Sequence, residues 1–199
     1  MKPAGVILAG GLARRMGGGD KVLQELDGRP LLSYVVDALA LQTSTLAISA
    51  NGDPARFAPW RLPVLADSIP DHPGPLAGIL AGLRWAASTS TALLVTVAGD
   101  TPFLPTDLVE RLGNVFAERQ ADVVMAERAG ILQPVIAIWS LELADDLETV
   151  LKTTDLRSVE AFARKQRWAV AAFDDSPHNP FFNINTPEDL AAAHLMAPS

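Results

Sequence analysis

Short apolar runs alternate along the chain with longer segments in which apolar residues recur at helical spacing. The short runs predict buried strands, because each has about the length of one strand and ends at turn residues. The longer segments predict helices with one apolar face. The predicted strands cover residues 6–8, 46–50, 64–66, 92–98, 122–126, 134–139 and 168–173. The predicted helices cover residues 30–40, 76–87, 107–120, 141–151, 156–164 and 186–194.

This alternation predicts an α/β fold: a three-layer, doubly wound, mostly parallel sheet of Rossmann-like type, with helices on both faces. The 199 residues suit a single domain. Between these elements, we expect residues 22–26 to be extended, residues 54–60 to be irregular and residues 127–133 to form a turn near the ligand. In such sheets, ligands bind at the carboxyl ends of the strands. The residues that directly follow predicted strands are Ala9, Gly10, Gly11, Asn51, Asp67 and Asp100.

The first predicted strand leads into a loop that is rich in glycine and contains three cations. Residues 10–21 read GGLARRMGGGDK. Glycines allow backbone N–H groups to approach a ligand closely, and Arg14, Arg15 and Lys21 supply positive charge, so the loop favours phosphate binding. The alternative is a flexible connection with solvated arginines. The loop is not a Walker A motif, because Val22 follows the lysine, and it lacks the G-x-G-x-x-G spacing of dinucleotide-binding loops.

Asp100 follows the most strand-like run of the chain. A carboxylate at that point is well placed to hold Mg²⁺, which binds oxygen ligands and often combines one or two carboxylates with substrate phosphates. The alternative is a helix-capping aspartate before Pro102. Asn51 and Asp67 stand at matching positions after two other strands, where they could contact a base or a ribose. Taken singly, each is by default an ordinary loop residue, and it is their matching positions that favour a shared role.

Asn183 and Asn185 precede the last predicted helix. If this segment is extended, the two amides point to one side and Ile184 points to the other. They could orient a phosphate or metal-bound water, or they could serve only in turns and caps. Thr186 is the predicted N-cap of the helix, with Pro187 at its first position.

Composition and charge narrow the choice of ligand. The chain is 49% hydrophobic and carries a formal net charge of −7, which disfavours general nucleic-acid binding. Residues 1–30 nevertheless carry a local excess of positive charge, which suits a small polyanion such as a nucleotide. The sequence contains no cysteine, which excludes disulfides, thiolate nucleophiles and iron–sulfur clusters. No apolar stretch reaches the ~18 residues of a membrane span, and we expect a cytoplasmic protein.

Several motifs, in order along the whole chain, resemble those of the molybdenum cofactor guanylyltransferases, the MobA family. The first of them alone would mark only the wider group of cofactor and sugar-phosphate nucleotidyltransferases. The matching segments are residues 8–11 (LAGG), 14–17 (RRMG), 20–21 (DK), Asn51, 67–68 (DS), 73–78 (PGPLAG), 99–102 (GDTP) and 183–190 (NINTPEDL).

The resemblance implies a reaction in which GTP and molybdenum-molybdopterin give molybdopterin guanine dinucleotide and pyrophosphate, with Mg²⁺ as cofactor. It implies three catalytic residues, Arg15, Lys21 and Asp100, of which Asp100 binds the metal. In the family, the Gly10-Gly11 pair carries the choice of guanine, whereas related cytidylyltransferases have an alanine before the last glycine. The residues that the resemblance places on the nucleotide and its phosphates are Leu8, Ala9, Gly10, Gly11, Gly18, Lys21, Asn51, Asp67, Gly78, Asn183 and Asn185.

The resemblance also implies an arrangement and partners. Residues 1–110 would bind the nucleotide and residues 111–199 would face the pterin, with no pterin contact assigned. We expect a monomer that makes transient contacts with cofactor-synthesis proteins or acceptor molybdoenzymes. Two alternatives stay open: a cytidylyl- or sugar-nucleotide transferase of the same fold, and a non-catalytic nucleotide-binding accessory protein, which would not need Asp100.

Overall fold

The computed structural model describes residues 2–10, 20–67, 69, 74–174 and 178–196. Within these residues, nine strands and six α-helices succeed one another, joined in part by short 3-10 helices. The strands are β1 (Ala4–Leu8), β2 (Glu25–Leu26), β3 (Arg29–Pro30), β4 (Thr45–Ser49), β5 (Val64–Leu65), β6 (Leu93–Ala98), β7 (Val123–Arg128), β8 (Ile131–Ser140) and β9 (Trp168–Phe173). The helices are α1 (Leu31–Ala40), α2 (Pro75–Ala86), α3 (Leu108–Arg119), α4 (Ala144–Thr153), α5 (Val159–Ala163) and α6 (Pro187–Met196).

Seven of the strands form one sheet in the order β5-β4-β1-β6-β8-β7-β9, and β2 pairs with β3 in a separate two-stranded ribbon. β1 lies between β4 and β6 and is parallel to both. β8 runs antiparallel to its neighbours β6 and β7, while β9 is parallel to β7. The predicted mostly parallel sheet is therefore confirmed, with one antiparallel strand inside it.

Successive side chains of β1 point to opposite faces of the sheet, as the pleat of a strand requires. Ile7 belongs to a buried cluster that contains residues of α1 and α3, among them Val35 and Leu112. Val6 belongs to a second buried cluster, with residues of α2, α4 and α5. Helices thus cover both faces, and the predicted three-layer arrangement is confirmed. Among the described residues, no helix is both long and apolar enough to cross a membrane.

A third, smaller buried cluster ties the last helix to the ribbon. It joins Leu26 of β2 and Leu31 of α1 to Ile184 and to Ala193 of α6. This packing brings the segment that contains Asn183 and Asn185 back to β2 and the start of α1.

The structure corrects four predictions of local structure. Residues 22–26 are not one extended piece, because Lys21–Leu23 forms a 3-10 helix before β2. Residues 127–133 are mostly strand, and the turn is confined to Ala129 and Gly130, which both have positive φ. The helix predicted at 156–164 begins only at Val159, where the Ser158 side chain accepts a hydrogen bond from the N–H of Ala161. Residues 54–60, predicted as irregular, form a 3-10 helix capped by Asp53.

Candidate active site

The register of the sheet places the ends of four parallel strands at the same level. Leu8 of β1 pairs with Ser49 of β4 and with Ala98 of β6, and Ser49 pairs with Leu65 of β5. The residues two positions beyond these strand ends are Gly10, Asn51, Asp67 and Asp100. The four strand-end residues predicted from the sequence therefore follow one carboxyl edge of the sheet.

Lys21 is the centre of a cluster of oxygen acceptors at this edge. Its ammonium group donates to Oδ2 of Asp100, to Oδ1 of Asn185 and, over 3.0 Å, to Oδ1 of Asn183. An ammonium group has three N–H donors, so all of them are used. Lys21 is only 7% exposed, so its charge is largely removed from water and is compensated by the Asp100 carboxylate.

The backbone fixes the two asparagines on Lys21. Ile184 is completely buried, and its N–H donates to the carbonyl of Asp100 over 3.1 Å. Because side chains alternate along an extended segment, burial of Ile184 directs Asn183 and Asn185 together towards the edge of the sheet. The predicted separation of buried Ile184 from the two exposed asparagines is confirmed, and both side-chain oxygens bind Lys21.

The cap of the last helix is made by other residues. The Asp189 carboxylate accepts from the N–H groups of Asn185 and Thr186, each over 2.9 Å, and the Thr186 hydroxyl accepts from the N–H of Asp189 over 3.1 Å. This reciprocal pairing is a capping box, and the predicted N-cap at Thr186 is confirmed. The hydrogen bond from Asn185 is the main cause that holds the pKa of Asp189 below its usual value, and the Lys21 charge contributes to the same direction.

Asp100 has a chemical feature that the other acidic residues of the edge lack. Its Oδ1 atom is buried and has no hydrogen-bond partner in the protein, while Oδ2 accepts from Lys21. A buried carboxylate oxygen without a donor is available to a ligand of positive charge. The alternative role as a helix cap is wrong, because the next helix, α3, begins only at Leu108.

Asn51 and Asp67 form a second pair on the edge. The Asn51 amide donates to Oδ2 of Asp67 over 2.7 Å, and its oxygen accepts from the N–H of Asp67 over 2.9 Å. Asn51 is exposed and Asp67 is half-buried, so the pair presents a fixed amide and carboxylate at this edge. The structure thus brings together two residues that the sequence offered only as matching positions after strands.

The end of β1 and the start of α2 complete the described edge. Ala9 is buried and donates its N–H to the carbonyl of Ser49 over 2.9 Å, whereas Gly10 is exposed with open space where a side chain would begin. Gly78 packs closely instead: a Cβ atom there would lie 2.5 Å from Oγ of Ser49 and 3.1 Å from Leu8. The absence of a side chain at Gly78 therefore lets α2 approach β1 and β4.

Three predicted site residues, Gly11, Arg15 and Gly18, lie outside the described residues. Among those that the structure describes, no three acidic or histidine side chains come together as a metal site. From the described residues, a metal held by Asp100 would also take amide oxygens or oxygens of a ligand.

Sequence reasoning missed one contact at this edge: Arg56 forms an ion pair with Asp20, the residue before Lys21. Arg56 was assigned to an irregular segment, and Asp20 was noted only as part of a motif. The available signal was that Arg56 stands only five positions after Asn51, between Pro54 and Pro59.

The chain was compared with known families and proteins. A family model described as the MobA-like NTP transferase domain matches residues 5–180. A relative from Rhodopseudomonas palustris (strain BisB5), named molybdenum cofactor guanylyltransferase, is 50% identical over 194 residues, which cover 96% of this chain and 92% of the relative. A relative of the same name from Cereibacter sphaeroides is 48% identical over 196 residues, covering 98% and 97%. The chain belongs to the MobA-like NTP transferase family.

Solved structures share the fold of this MobA-like NTP transferase. Molybdopterin-guanine dinucleotide biosynthesis protein A from Archaeoglobus fulgidus has a TM-score of 0.77 and 24% identity, with 97% of each chain covered. A Mycobacterium tuberculosis protein solved in complex with manganese has a TM-score of 0.66 and 16% identity over the full length of both chains. The predicted family, fold class and enzyme class, a nucleotidyltransferase, are confirmed.

Proposed function

We propose that this MobA-like NTP transferase transfers GMP from GTP to molybdenum-molybdopterin, forming molybdopterin guanine dinucleotide and pyrophosphate. The observation that carries the proposal is the convergence of Lys21, Asp100, Asn183 and Asn185 at the carboxyl edge of the sheet, beside the end of β1. The choice of GTP and pterin is supported by curated relatives at 44–50% identity, which are named molybdenum cofactor guanylyltransferase.

In this proposal GTP lies along the edge of the sheet. Backbone groups of Leu8, Ala9 and Gly10 hold the guanine end, together with Gly11, and the open space at Gly10 supports a close approach of the base. The Asn51–Asp67 pair contacts the nucleoside. Lys21 faces the phosphates, assisted by the glycine-rich loop that includes Gly18. Gly78 acts through the close packing of α2 against Leu8 and Ser49.

The chemistry requires positioning more than proton transfer. The terminal phosphate of molybdopterin attacks the α-phosphorus of GTP, and a new P–O bond forms while the bond to the bridging oxygen of the β-phosphate breaks. A phosphate monoester is already ionised near pH 7, because its second pKa is about 6, so no strong general base is needed. The protein contributes alignment of the two phosphates and neutralisation of their charge.

Lys21 is the described cation that can perform this neutralisation. Burial strengthens its interaction with any phosphate oxygen, because the local dielectric is lower than in water. Its three oxygen partners hold the ammonium group at the edge before substrate arrives, and a hydrogen bond to a phosphate oxygen replaces one of the two amide contacts. Arg15, from the same glycine-rich loop, is proposed to stabilise charge on the α-phosphate and the leaving pyrophosphate alongside Lys21.

The residues present fit Mg²⁺ as the cofactor. Asp100 offers the buried Oδ1 that has no partner in the protein, and Asn183 and Asn185 offer neutral oxygens nearby. One carboxylate together with amide oxygens and substrate phosphates is a donor set that Mg²⁺ accepts readily. The bound ion supplies charge neutralisation at the phosphate oxygens. Asp100 holds it, and Lys21 occupies the other oxygen of the same carboxylate.

We further propose that residues 1–110 bind the nucleotide and residues 111–199 supply the pterin side. The β7–β8 hairpin supports this division. β8 begins at Ile131 but pairs with β6 only from Ala137 onward, so the hairpin extends beyond β6 towards the carboxyl edge. Ile131 near its tip is 62% exposed, which offers an apolar surface beside the site.

A thermal-shift panel tests the choice of nucleotide. Purified protein is heated with Mg²⁺ and GTP, CTP, ATP or UTP, and the midpoint of unfolding is compared at increasing nucleotide concentration. Binding to the folded state raises stability by mass action, so GTP should give the largest shift at equal concentration. A larger shift with CTP would favour the cytidylyltransferase alternative. The absence of a shift with all four would contradict the proposed function.

A further inference from the structure

The guanidinium group of Arg56 contacts two parts of the site that are distant in sequence: Asp20, which precedes Lys21, and the residues that follow β4. Arg56 lies in the 3-10 helix Pro54–Trp60, which follows β4. Its Nε lies 2.5 Å from Oδ2 of Asp20, at the end of the glycine-rich loop. Its Nη2 donates to the carbonyl of Asn51 over 2.6 Å, and its Nη1 donates to the carbonyl of Asp53 over 2.5 Å. The two Nη atoms therefore have hydrogen-bond acceptors, whereas the buried Nε meets Asp20 as an ion pair and has no hydrogen-bond partner among the described residues.

On one side, these contacts reach the phosphate end of the site. Asp20 directly precedes Lys21, and its carbonyl accepts from the N–H of Leu23, which closes the 3-10 helix that carries the lysine. The Arg56 and Asp20 side chains are only 23% and 18% exposed. A partly buried ion pair of this kind is less screened by solvent than one on the surface, so it fixes the backbone from which Lys21 projects.

On the other side, Arg56 reaches the nucleoside end. The carbonyl that it binds belongs to Asn51, whose side chain exchanges two hydrogen bonds with Asp67. Gly52 turns the chain back towards Arg56 with a φ of 86°, a conformation that favours glycine. The backbone of Asn51 is thereby held by the same guanidinium group that holds Asp20.

We propose that Arg56 is a positioning residue that fixes the position of Lys21 relative to Asn51. Its role rests on the proposed function, because it aligns the phosphate contact with the nucleoside contact of one nucleotide. Misplacement of either contact by a fraction of an ångström lowers the rate of a reaction that depends on alignment. Arg56 acts through its neighbours and does not itself need to contact the nucleotide.

The geometry requires arginine and not merely a positive charge. The guanidinium group is planar and presents N–H donors in several fixed directions, whereas a lysine is a point charge with one nitrogen. The Arg56 group also lies over the ring of Phe57, with 4.5 Å between its carbon and the ring centroid. Arg56→Lys would keep the net charge but could not bind Asp20, Asn51 and Asp53 together.

The test compares Arg56→Lys with the matched control Arg84→Lys. Arg84 of α2 is also an ion-paired arginine, bound to Asp145 and Glu148 away from the site. The KM and kcat of each variant are measured with the nucleoside triphosphate that stabilises the wild type most, and unfolding midpoints are recorded. Arg56→Lys should raise KM and lower kcat, each about fivefold or more, whereas Arg84→Lys should change neither by more than twofold. Asp20→Asn should lower kcat with a smaller effect on KM, because only the phosphate end is released.

A double variant separates positioning from a general loss of structure. If Arg56 acts on KM through Asn51, Arg56→Lys should raise KM much less in an Asn51→Ala background than in the wild type. Equal effects in both backgrounds, or an Arg56→Lys enzyme with KM and kcat within twofold of wild type, would overturn the proposal. The proposed function fails separately, if the wild type itself shows no transfer from GTP.

Discussion

Lys21 determines the chemistry of the site at the scale of single residues. Lysine is almost never buried unless it is paired. The Lys21 side chain, which is only 9% exposed, follows this rule because it binds one carboxylate and two amide oxygens. Asp100 therefore neutralises Lys21 with one oxygen and keeps the other free of protein donors. The two amides occupy the other N–H donors of Lys21 without adding negative charge to the site.

The first residue-scale prediction concerns Asp100. Asp100→Asn preserves the shape of the side chain and an acceptor for Lys21, but it removes the negative charge that would hold a divalent ion. Turnover, measured as pyrophosphate release with Mg²⁺, should fall about 10³-fold or more, the upper range for one electrostatic group. The unfolding midpoint checks that the fold is retained. Turnover close to that of the wild type at high Mg²⁺ would refute the metal assignment.

The second residue-scale prediction concerns Lys21. Lys21→Met retains most of the buried stem but lacks the charge, so kcat/KM should fall roughly 10²-fold, the effect expected for one preorganised donor. The control is Lys152→Met, since Lys152 is an exposed lysine of α4 that pairs with Glu148. The control should retain the rate of the wild type. An unchanged rate in Lys21→Met would remove this lysine from the proposed mechanism.

At the scale of elements, the start of α6 sets the position of two site residues. The capping box of Thr186 and Asp189 orders the backbone at Asn185, and the buried Ile184 anchors the segment to Asp100. Both features follow from local sequence: a Thr-Pro-Glu-Asp start is a strong helix signal, and alternation separates Ile184 from the asparagines. A stable cap therefore has a functional consequence here, because it holds one ligand of Lys21.

The corresponding prediction is a pH dependence of stability. The pKa of Asp189 in the folded protein lies below its usual value of 3.8, so its charged form stabilises the fold at pH values above 3.8. This contribution should be lost as the pH falls below about 4 and the carboxylate is protonated. We expect Asp189→Ala to unfold at lower denaturant concentration than the wild type at pH 6 to 8, with a difference of about 1 kcal/mol that shrinks below pH 4. A difference that is independent of pH would show that the charge of Asp189 has no part in the cap.

At the scale of the whole molecule, the sequence predicted where the strands and helices lie better than it predicted which strands pair with each other. All seven strands of the main sheet were predicted because a buried strand is a local apolar run. The sequence did not predict the order β6-β8-β7 or the antiparallel direction of β8, because strand pairing depends on residues that are distant in the chain. The same distinction applies to the site: the strand-end rule selected Asp100, but Asn183 binds Lys21 from 162 positions away. Arg56 was missed because its segment has no periodicity and its partners are set by the fold.

The net charge of −7 places a basic, glycine-rich loop on an acidic molecule, which suits a small anionic substrate. The expected monomer remains a prediction that sedimentation of the purified protein can check.

The two halves of the chain share one sheet and one cluster of site residues, since Lys21 and Asp100 come from the first half and Asn183 and Asn185 from the second. Cutting the chain between the halves would therefore divide the site.

The most direct test of the central claim is formation of the dinucleotide. The purified protein is incubated with molybdenum-molybdopterin and Mg²⁺ in the presence of GTP or CTP, and the pterin product is identified by its mass. The account predicts molybdopterin guanine dinucleotide and an equal amount of pyrophosphate with GTP, and little product with CTP or with the Asp100→Asn variant. A cytosine dinucleotide as the main product, or unchanged product in the variant, would contradict it.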